Sequence, residues 1–241
     1  MAGRSGTAKR PTNRKSKEEG GTQNARRTKI LNAAAKVFAE KGFENATVRD
    51  IGDECGMVSG GLYYHFPSKD AMLHEILMGT MDRLHEEYSA VRDDEGDAET
   101  RLSRLFEVAL QFIVDQPSAA HILQNEFERF KHLESFKPIY KRYSEIRKVW
   151  REVLEQGVSQ GLLRGDVDLD LAYRVLMGAV LSTVHWFEPT GRYSIETIAK
   201  THSAILIGGM AQPGAPVERG GAGAGLITSA VSGSDRASQP Q

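Results

Sequence analysis

Apolar residues recur at helical spacing through most of the chain. Ile30, Ala34, Val37 and Phe38 fall on one face of a helix, which Gly42 is placed to end. The same periodicity predicts further helices over 48–55, 59–65, 69–92, 99–115, 118–132, 138–162, 169–187 and 195–210. No segment sustains the alternation of apolar and polar residues that is typical of a strand. The pattern therefore predicts an all-α fold.

The two ends of the chain lack this periodicity. Residues 1–23 mix basic side chains with Gly, Ser, Thr and Asn, which predicts a disordered basic arm. Two interpretations of the arm stay open, a solvated tail or a segment that adds salt-sensitive affinity for phosphates. Residues 212–241 are rich in Gly, Ala and Ser and predict a disordered tail. Their glycine run follows no strand and opens no helix, so it is not a phosphate loop.

Residues 47–66 have the spacing of a helix-turn-helix. Thr47 and Asp50 form a T-x-x-D capping box, which predicts a helix that begins directly after Thr47. Gly56 is placed to end this helix, and Ser59 is placed to cap a second one after a short turn. Two short helices joined by a glycine-containing turn are typical of this DNA-binding motif.

The second of these helices presents small residues and then hydrogen-bonding aromatic residues. A recognition helix enters the major groove by its N-terminal end, where small residues permit close approach. Hydroxyl and imidazole groups can donate to phosphates. Ser68 is placed to cap the next helix, whose free N–H groups, with Lys69, would form another phosphate site. The alternative is a small helical hairpin with exposed tyrosines.

The charge distribution favours binding of a polyanion by the front of the chain, residues 1–70, and not by the rest. Residues 1–70 carry 13 basic and 8 acidic side chains, a net charge of +5. The rest carries 18 basic and 24 acidic side chains, which gives the whole 241-residue chain a net charge of -1. A basic front on an acidic body indicates that the front meets nucleic acid, although +5 is a modest charge.

Other classes of protein find little support in the sequence. The single cysteine, Cys55, excludes a disulfide framework and a cysteine-based zinc cluster. His121, Glu128 and His132 share one face of a predicted helix but lack the spacing of metal ligands, so we expect no metal and no cofactor. No catalytic motif is present, and we expect no enzyme. No apolar run reaches the roughly 18 residues of a membrane span, and no signal peptide is recognisable, so we expect a cytoplasmic protein.

Three segments together resemble the DNA-binding domain of the TetR family of bacterial transcriptional regulators. They read ILNAAAKVFAEKGF, TVRDI and SGGLYYHFPSKDAML and lie within residues 24–84. The resemblance implies a helix-turn-helix domain over 24–84, a larger helical effector-binding and dimerisation domain over 85–211, and a homodimer on a palindromic DNA operator. Position by position, it implies DNA contacts by Thr47, Arg49, Ser59, Gly60, Gly61, Tyr63, Tyr64, His65 and Lys69.

The second half resembles a narrower TetR subgroup, one that includes regulators of steroid-ring catabolism in actinobacteria. The similar run begins VWREVLEQGVSQGLLRGDVDLD, and regulators of this subgroup respond to CoA thioesters. Met177 and Leu181 are apolar where steroid-type members would carry an arginine and a tryptophan. We therefore expect an acyl-CoA of another kind, or a different hydrophobic effector. Candidate effector contacts are Phe112, Phe127, Trp150, Met177, Leu181 and His185.

Two further sets of residues bear on this half. Six basic residues give one helix a cationic surface, which suits either the phosphates of a CoA thioester or local pairing with acidic neighbours: Lys137, Lys141, Arg142, Arg147, Lys148 and Arg151. Apolar residues of the last two long helices are candidate dimer contacts: Ala172, Val175, Leu176, Val180, Ile198, Ile205 and Ile207.

The hypothesis that joins these features is a homodimeric repressor that an effector releases from its operator. Repression and activation use the same DNA contacts, so an activator of the same family is an open alternative. A helical ligand-binding protein that does not use DNA is the alternative from a different class.

Overall fold

The computed structural model describes residues 15–213 and, for residues 15–22, the backbone alone. The helices of the first half are α1 (Lys15–Lys41), α2 (Val48–Cys55), α3 (Ser59–His65) and α4 (Lys69–Asp93). Those of the second half are α5 (Ala98–Asp115), α6 (Pro117–Asn125), α7 (Lys137–Ser159), α8 (Leu169–Ser182), α9 (Ile195–His202) and α10 (Gly208–Met210). Apart from one antiparallel bridge between Leu163 and Ala211, the regular elements of this range are helical, as predicted.

The first three helices form a small unit around the apolar face of α1. Ile30, Ala34 and Phe38 are buried there, and Ile51 of α2 and Leu62 of α3 close the core against them. Because α2 and α3 are too short to be stable alone, this packing holds them in place. The unit is the platform from which α3 is presented.

Helix α4 connects this unit to the second half of the chain. It spans 25 residues, about 38 Å, and packs along α7 for much of that length. The core of the second half is centred on Trp150, which is fully buried. Tyr88, Phe106 and Tyr173 make edge contacts with its indole, with ring centroids at 5.6, 5.5 and 6.3 Å.

The predicted helix over 118–132 is wrong in its second half. Helix α6 ends at Asn125, and a 3-10 helix over Phe127–Phe130 follows. The hydroxyl of Tyr140 donates to the Phe127 carbonyl and so takes the place of an α-helical amide. The three candidate metal ligands, His121, Glu128 and His132, are therefore not on one helix. No group of three or more possible metal ligands occurs among the described residues.

Other element ends also differ from the sequence prediction. Helix α1 begins at Lys15, so residues 15–23 are helical rather than part of a disordered arm. Extending a helix that is already packed costs much less than nucleating one. Helix α8 ends at Ser182, and α9 continues through a π-helical segment over Ser203–Ile207. The expectations for residues 1–14 and 214–241 lie outside the described residues.

Candidate DNA-binding face and effector domain

The predicted capping box begins α2. The amide of Asp50 donates to the Thr47 hydroxyl oxygen at 3.1 Å, and the amide of Thr47 donates to the Asp50 carboxylate at 2.9 Å. The Thr47 hydroxyl also donates to Asp50, at 2.6 Å, so its proton is engaged within the chain. Hydrogen bonds from Lys41 and Thr47 hold the pKa of Asp50 well below its usual range. The carboxylate therefore stays charged and fixes the start of α2.

The turn between α2 and α3 depends on two glycines. Gly56 ends α2 with φ 69°, a left-handed conformation that favours glycine. Gly52 lies so close to the turn that a Cβ atom there would be 2.6 Å from the Met57 carbonyl oxygen. The angle between α2 and α3 therefore has a steric basis in the sequence.

Helix α3 buries one face and exposes the other. Leu62 and Phe66 are buried in the core, whereas Tyr63 and Tyr64 are 55% and 80% exposed. A Cβ atom at Gly60 would have no neighbour within 4 Å, so folding does not need a glycine there. The other predicted DNA contacts on this surface divide into exposed Arg49 and half-buried Ser59, Gly61 and His65.

The expected cap of α3 is wrong by one residue. Ser59 is the first helical residue, and Val58 occupies the capping position without a side-chain hydrogen bond. The amide of Gly61 donates to the Val58 carbonyl at 2.9 Å. This hydrogen bond uses the backbone alone, so it does not require valine at position 58. By contrast, the Ser68 hydroxyl caps α4 as predicted and accepts from the Ala71 amide at 3.1 Å.

Arg27 of α1 fixes the C-terminal end of α3, a role that the sequence did not indicate. Its guanidinium donates to the His65 carbonyl at 2.8 Å and to Glu75 of α4 at 2.9 Å. The same group lies 4.1 Å from the centroid of the Phe66 ring. The three contacts orient α3 relative to α1 and α4. An arginine among many in a basic segment carries no spacing signal that could have revealed them.

Lys69 is directed into the chain rather than towards solvent. Its ammonium donates to the carbonyls of Phe43, Glu44 and Ala46 at 2.7, 3.1 and 3.2 Å. An ammonium has three donors, so these carbonyls account for all of them. The start of α4 is thereby tied to the loop between α1 and α2. A phosphate contact by Lys69, as expected from the sequence, would require these bonds to rearrange.

The 3-10 helix over Phe127–Phe130 joins the two halves of the molecule. Phe130 packs edge-on against Phe43 with ring centroids 5.2 Å apart, and so contacts the loop that Lys69 holds. Phe127 stacks on Tyr140 of α7 at 4.5 Å, and burial raises the pKa of Tyr140 to about 12. Through Phe130, the second half of the molecule therefore contacts the loop that leads into α2.

The basic surface of α7 is largely neutralised by ion pairs. Arg142 pairs with Asp82 at 2.7 Å, and Arg147 pairs with Asp170 of α8 at 2.9 Å. Lys137, Lys148 and Arg151 pair with neighbouring glutamates. Lys141 is the member of the set for which residues 15–213 provide no ion pair. Five of the six cations therefore have acidic partners, four of them within four residues of the cation and one, Arg147, on α8.

The candidate effector contacts occupy three kinds of environment. Phe112, Phe127 and Trp150 are buried in the core, and Met177 and Leu181 of α8 are half-buried. His185 is exposed, with its ring centroid 6.1 Å from that of His121. His121 also lines a groove of about 370 Å³ at the junction of the two halves, together with Ala39, Glu40, Ile113, Val184 and Phe187.

The core of the second half contains buried polar atoms without hydrogen-bond partners within residues 15–213. The Trp150 Nε1 donor and the His202 Nδ1 atom are buried and have no hydrogen-bond partner among the described residues. Phe106 links them, because its ring lies 5.5 Å from the Trp150 ring and 6.5 Å from the His202 ring. The π-helical segment begins directly after His202, and such segments occur frequently at functional sites. Unpaired buried donors are rare and call for an explanation.

Exposed apolar residues of α8 and of the π-helical segment over Ser203–Ile207 form the set that we call the apolar strip. Leu171 and Val175, one turn apart on α8, are 61% and 54% exposed, and Ile205 is 65% exposed. A Cβ atom at Gly178, one turn further along α8, would have no neighbour within 4 Å. The other candidate dimer contacts are buried within the subunit and cannot contribute to an interface: Ala172, Leu176, Val180, Ile198 and Ile207.

Comparison with known proteins defines the class. Residues 30–76 match the bacterial regulatory proteins of the tetR family, and residues 95–210 match a tetracyclin repressor-like C-terminal domain. The chain therefore belongs to the tetR family of transcriptional regulators. In the described residues, no helix is long and apolar enough to cross a membrane.

Particular relatives lie within this family. The chain is 37% identical to the HTH-type transcriptional repressor KstR2 of Rhodococcus jostii, over 79% of this chain and 94% of that one. The solved ketosteroid transcriptional regulator KstR2 of Mycobacterium tuberculosis is 36% identical, with a TM-score of 0.74 over 78% of this chain and 95% of its own. AibR, solved in complex with isovaleryl coenzyme A and operator DNA, is 26% identical with a TM-score of 0.68, over 76% and 98% of the two chains.

Proposed function

We propose that the chain is a homodimeric transcriptional repressor that leaves a palindromic operator when it binds an acyl-CoA effector. DNA binding is inferred chiefly from the outer face of α3. Tyr63 and Tyr64 project into solvent, and Gly60 is open, although intramolecular packing requires none of these features. Small residues followed by hydrogen-bonding aromatics suit the approach of a helix to the major groove.

The dimer is supported by the apolar strip of Leu171, Val175 and Ile205. A two-fold dimer joined through this strip would present two copies of α3. Recognition helices about 34 Å apart fit successive major grooves of a palindrome. The KstR2 proteins are named transcriptional repressors, and we carry this direction of regulation over to the present chain.

The effector is proposed from the second half of the chain. AibR was solved with isovaleryl coenzyme A, which supports an acyl-CoA ligand. The Trp150 indole N–H is a donor without a partner inside an aromatic core, and a thioester carbonyl could accept from it. Because most cations of α7 are already paired, we assign the anionic part of the ligand to a surface other than that helix.

Fluorescence anisotropy tests both halves of the proposal. The purified full chain is titrated onto a labelled operator duplex recovered by selection from random DNA, and then challenged with isovaleryl-CoA, longer acyl-CoAs and the matching free acids. We expect at least one acyl-CoA to release the DNA, and the free acids to have no effect. Operator binding that no acyl-CoA alters would contradict the effector class while leaving DNA binding in place.

A Trp150→Phe variant provides a matched control. It keeps an aromatic ring in the core but removes the N–H donor. The loss of one neutral hydrogen bond corresponds to about three- to tenfold weaker effector affinity. Operator affinity without effector should be unchanged. Equal acyl-CoA sensitivity of the variant and the wild type would remove Trp150 from the site.

A further inference from the structure

Val58, the residue immediately before α3, has an apolar side chain that the fold does not use. Its exposed fraction is 82%, and it does not pack against the core. The helix that follows it has no side-chain cap. A large apolar group is thus held in solvent at the front end of the helix that exposes Tyr63 and Tyr64.

The other helices from α2 to α9 begin differently. Side chains of Thr47, Ser68, Asp97, Asp168 and Ser194 cap α2, α4, α5, α8 and α9. Helices α6 and α7 have a proline in the first two positions, where it is well tolerated. Of the helices α2 to α9 within residues 15–213, α3 is the one that has neither a side-chain cap nor an early proline. Valine is among the poorest capping residues, so the stability of α3 does not account for its presence.

The neighbourhood of Val58 indicates what its side chain meets. Gly60 is open, and a Cβ atom at Gly61 would have only the Met57 side chain within 4 Å. The N-terminal end of α3 therefore presents little besides the backbone, the Ser59 hydroxyl and the isopropyl group of Val58. In the major groove, the apolar group on the base edges is the C5-methyl of thymine.

We propose that Val58 contacts the C5-methyl group of a thymine in each half-site of the operator. This inference rests on the proposed DNA-binding function and adds a base preference to it. Valine is stiff about χ1, so holding its methyl groups against the base costs little conformational freedom. Adenine, guanine and cytosine offer no methyl at this place in the groove, and the contact would therefore discriminate among base pairs.

Uracil substitution tests the contact, because uracil differs from thymine by this methyl group alone. The thymines of the selected operator are replaced by uracil one position at a time, at the equivalent place in both half-sites. Dissociation constants are then measured for the wild type and for Val58→Ser. One replacement should weaken wild-type binding by about fourfold per half-site, the value of one buried methyl group. The same replacement should not weaken binding by Val58→Ser.

Two further measurements separate this role from a structural one. Val58→Ser supplies the missing cap and should raise the melting temperature, so that its weaker operator binding cannot come from unfolding. Val58→Ile keeps apolar surface without a cap and should retain the sensitivity to uracil. Equal losses for the wild type and Val58→Ser at every position would overturn the contact while leaving DNA binding intact. Failure of the wild type to bind any selected duplex would overturn the proposed function, and this inference with it.

Discussion

The ammonium of Lys69 lies 4.5 Å from the centroid of the Phe43 ring and donates to the carbonyl of the same residue at 2.7 Å. Phe43 also contacts Phe130 of the second half. One aromatic residue thus joins the start of α4, the loop before α2 and the effector domain. This position makes the loop a direct connection between the effector domain and the helix-turn-helix.

Replacing Lys69 tests whether this residue stabilises the fold or contacts a DNA phosphate. We expect Lys69→Met to lower the free energy of unfolding by about 1–3 kcal/mol, because three carbonyls lose a charged donor. The salt dependence of operator binding should change little. Arg49→Ala should leave stability unchanged and reduce the slope of log affinity against log salt by about 1. Urea denaturation and anisotropy at several salt concentrations measure both quantities, and the reverse pattern would assign the phosphate contact to Lys69.

Two glycines of the helix-turn-helix should respond in opposite ways to alanine. Gly52→Ala places a methyl group against the Met57 carbonyl, and we expect a loss of about 1–3 kcal/mol in stability. Gly60→Ala enters open space and should leave the melting temperature unchanged or higher, yet it should weaken operator binding. A stable Gly60→Ala variant with full affinity would show that α3 does not approach DNA at this residue.

The apolar strip of α8 predicts how the subunits associate. We expect Val175→Arg to convert the dimer to a monomer, because it buries an unpaired charge between two apolar surfaces. Leu133→Arg changes another exposed apolar residue, away from the strip, and should leave the dimer intact. Sedimentation velocity distinguishes the two species. A dimeric Val175→Arg variant would locate the interface elsewhere.

The stability of the fold should depend on the protonation of His202. Burial lowers the pKa of His202 below its ordinary value, so the unfolded chain takes up a proton at a higher pH than the folded one. Stability is therefore retained above the ordinary histidine pKa and decreases as the pH falls below it. Thermal melts at pH 7.5 and 5.5 should show a smaller decrease for His202→Gln than for the wild type. Equal decreases would mean that the imidazole is solvated in the folded chain.

Local signals in the sequence predicted the DNA-binding unit well. The capping box of Thr47 and Asp50, the left-handed Gly56 and the Ser68 cap are all present, because each depends on residues a few positions apart. Contacts between distant residues were not predictable. Arg27 reaches Glu75, and the Tyr140 hydroxyl donates to the Phe127 carbonyl just beyond the end of α6, with no marker in either segment. For the same reason, apolar periodicity identified both Leu176 and Val175 as candidate dimer contacts, although Leu176 is buried within the subunit and Val175 is exposed.

Selection from random double-stranded DNA shows directly whether α3 reads a palindromic DNA sequence. The wild-type chain should enrich a palindrome whose half-sites are about one helical turn apart. A variant with both Tyr63→Ala and Tyr64→Ala should remain folded by circular dichroism, because both side chains are exposed, and should enrich no sequence. Enrichment of the same palindrome by this variant would contradict the assignment of α3. The absence of any enriched sequence with the wild type would contradict sequence-specific DNA binding by this chain.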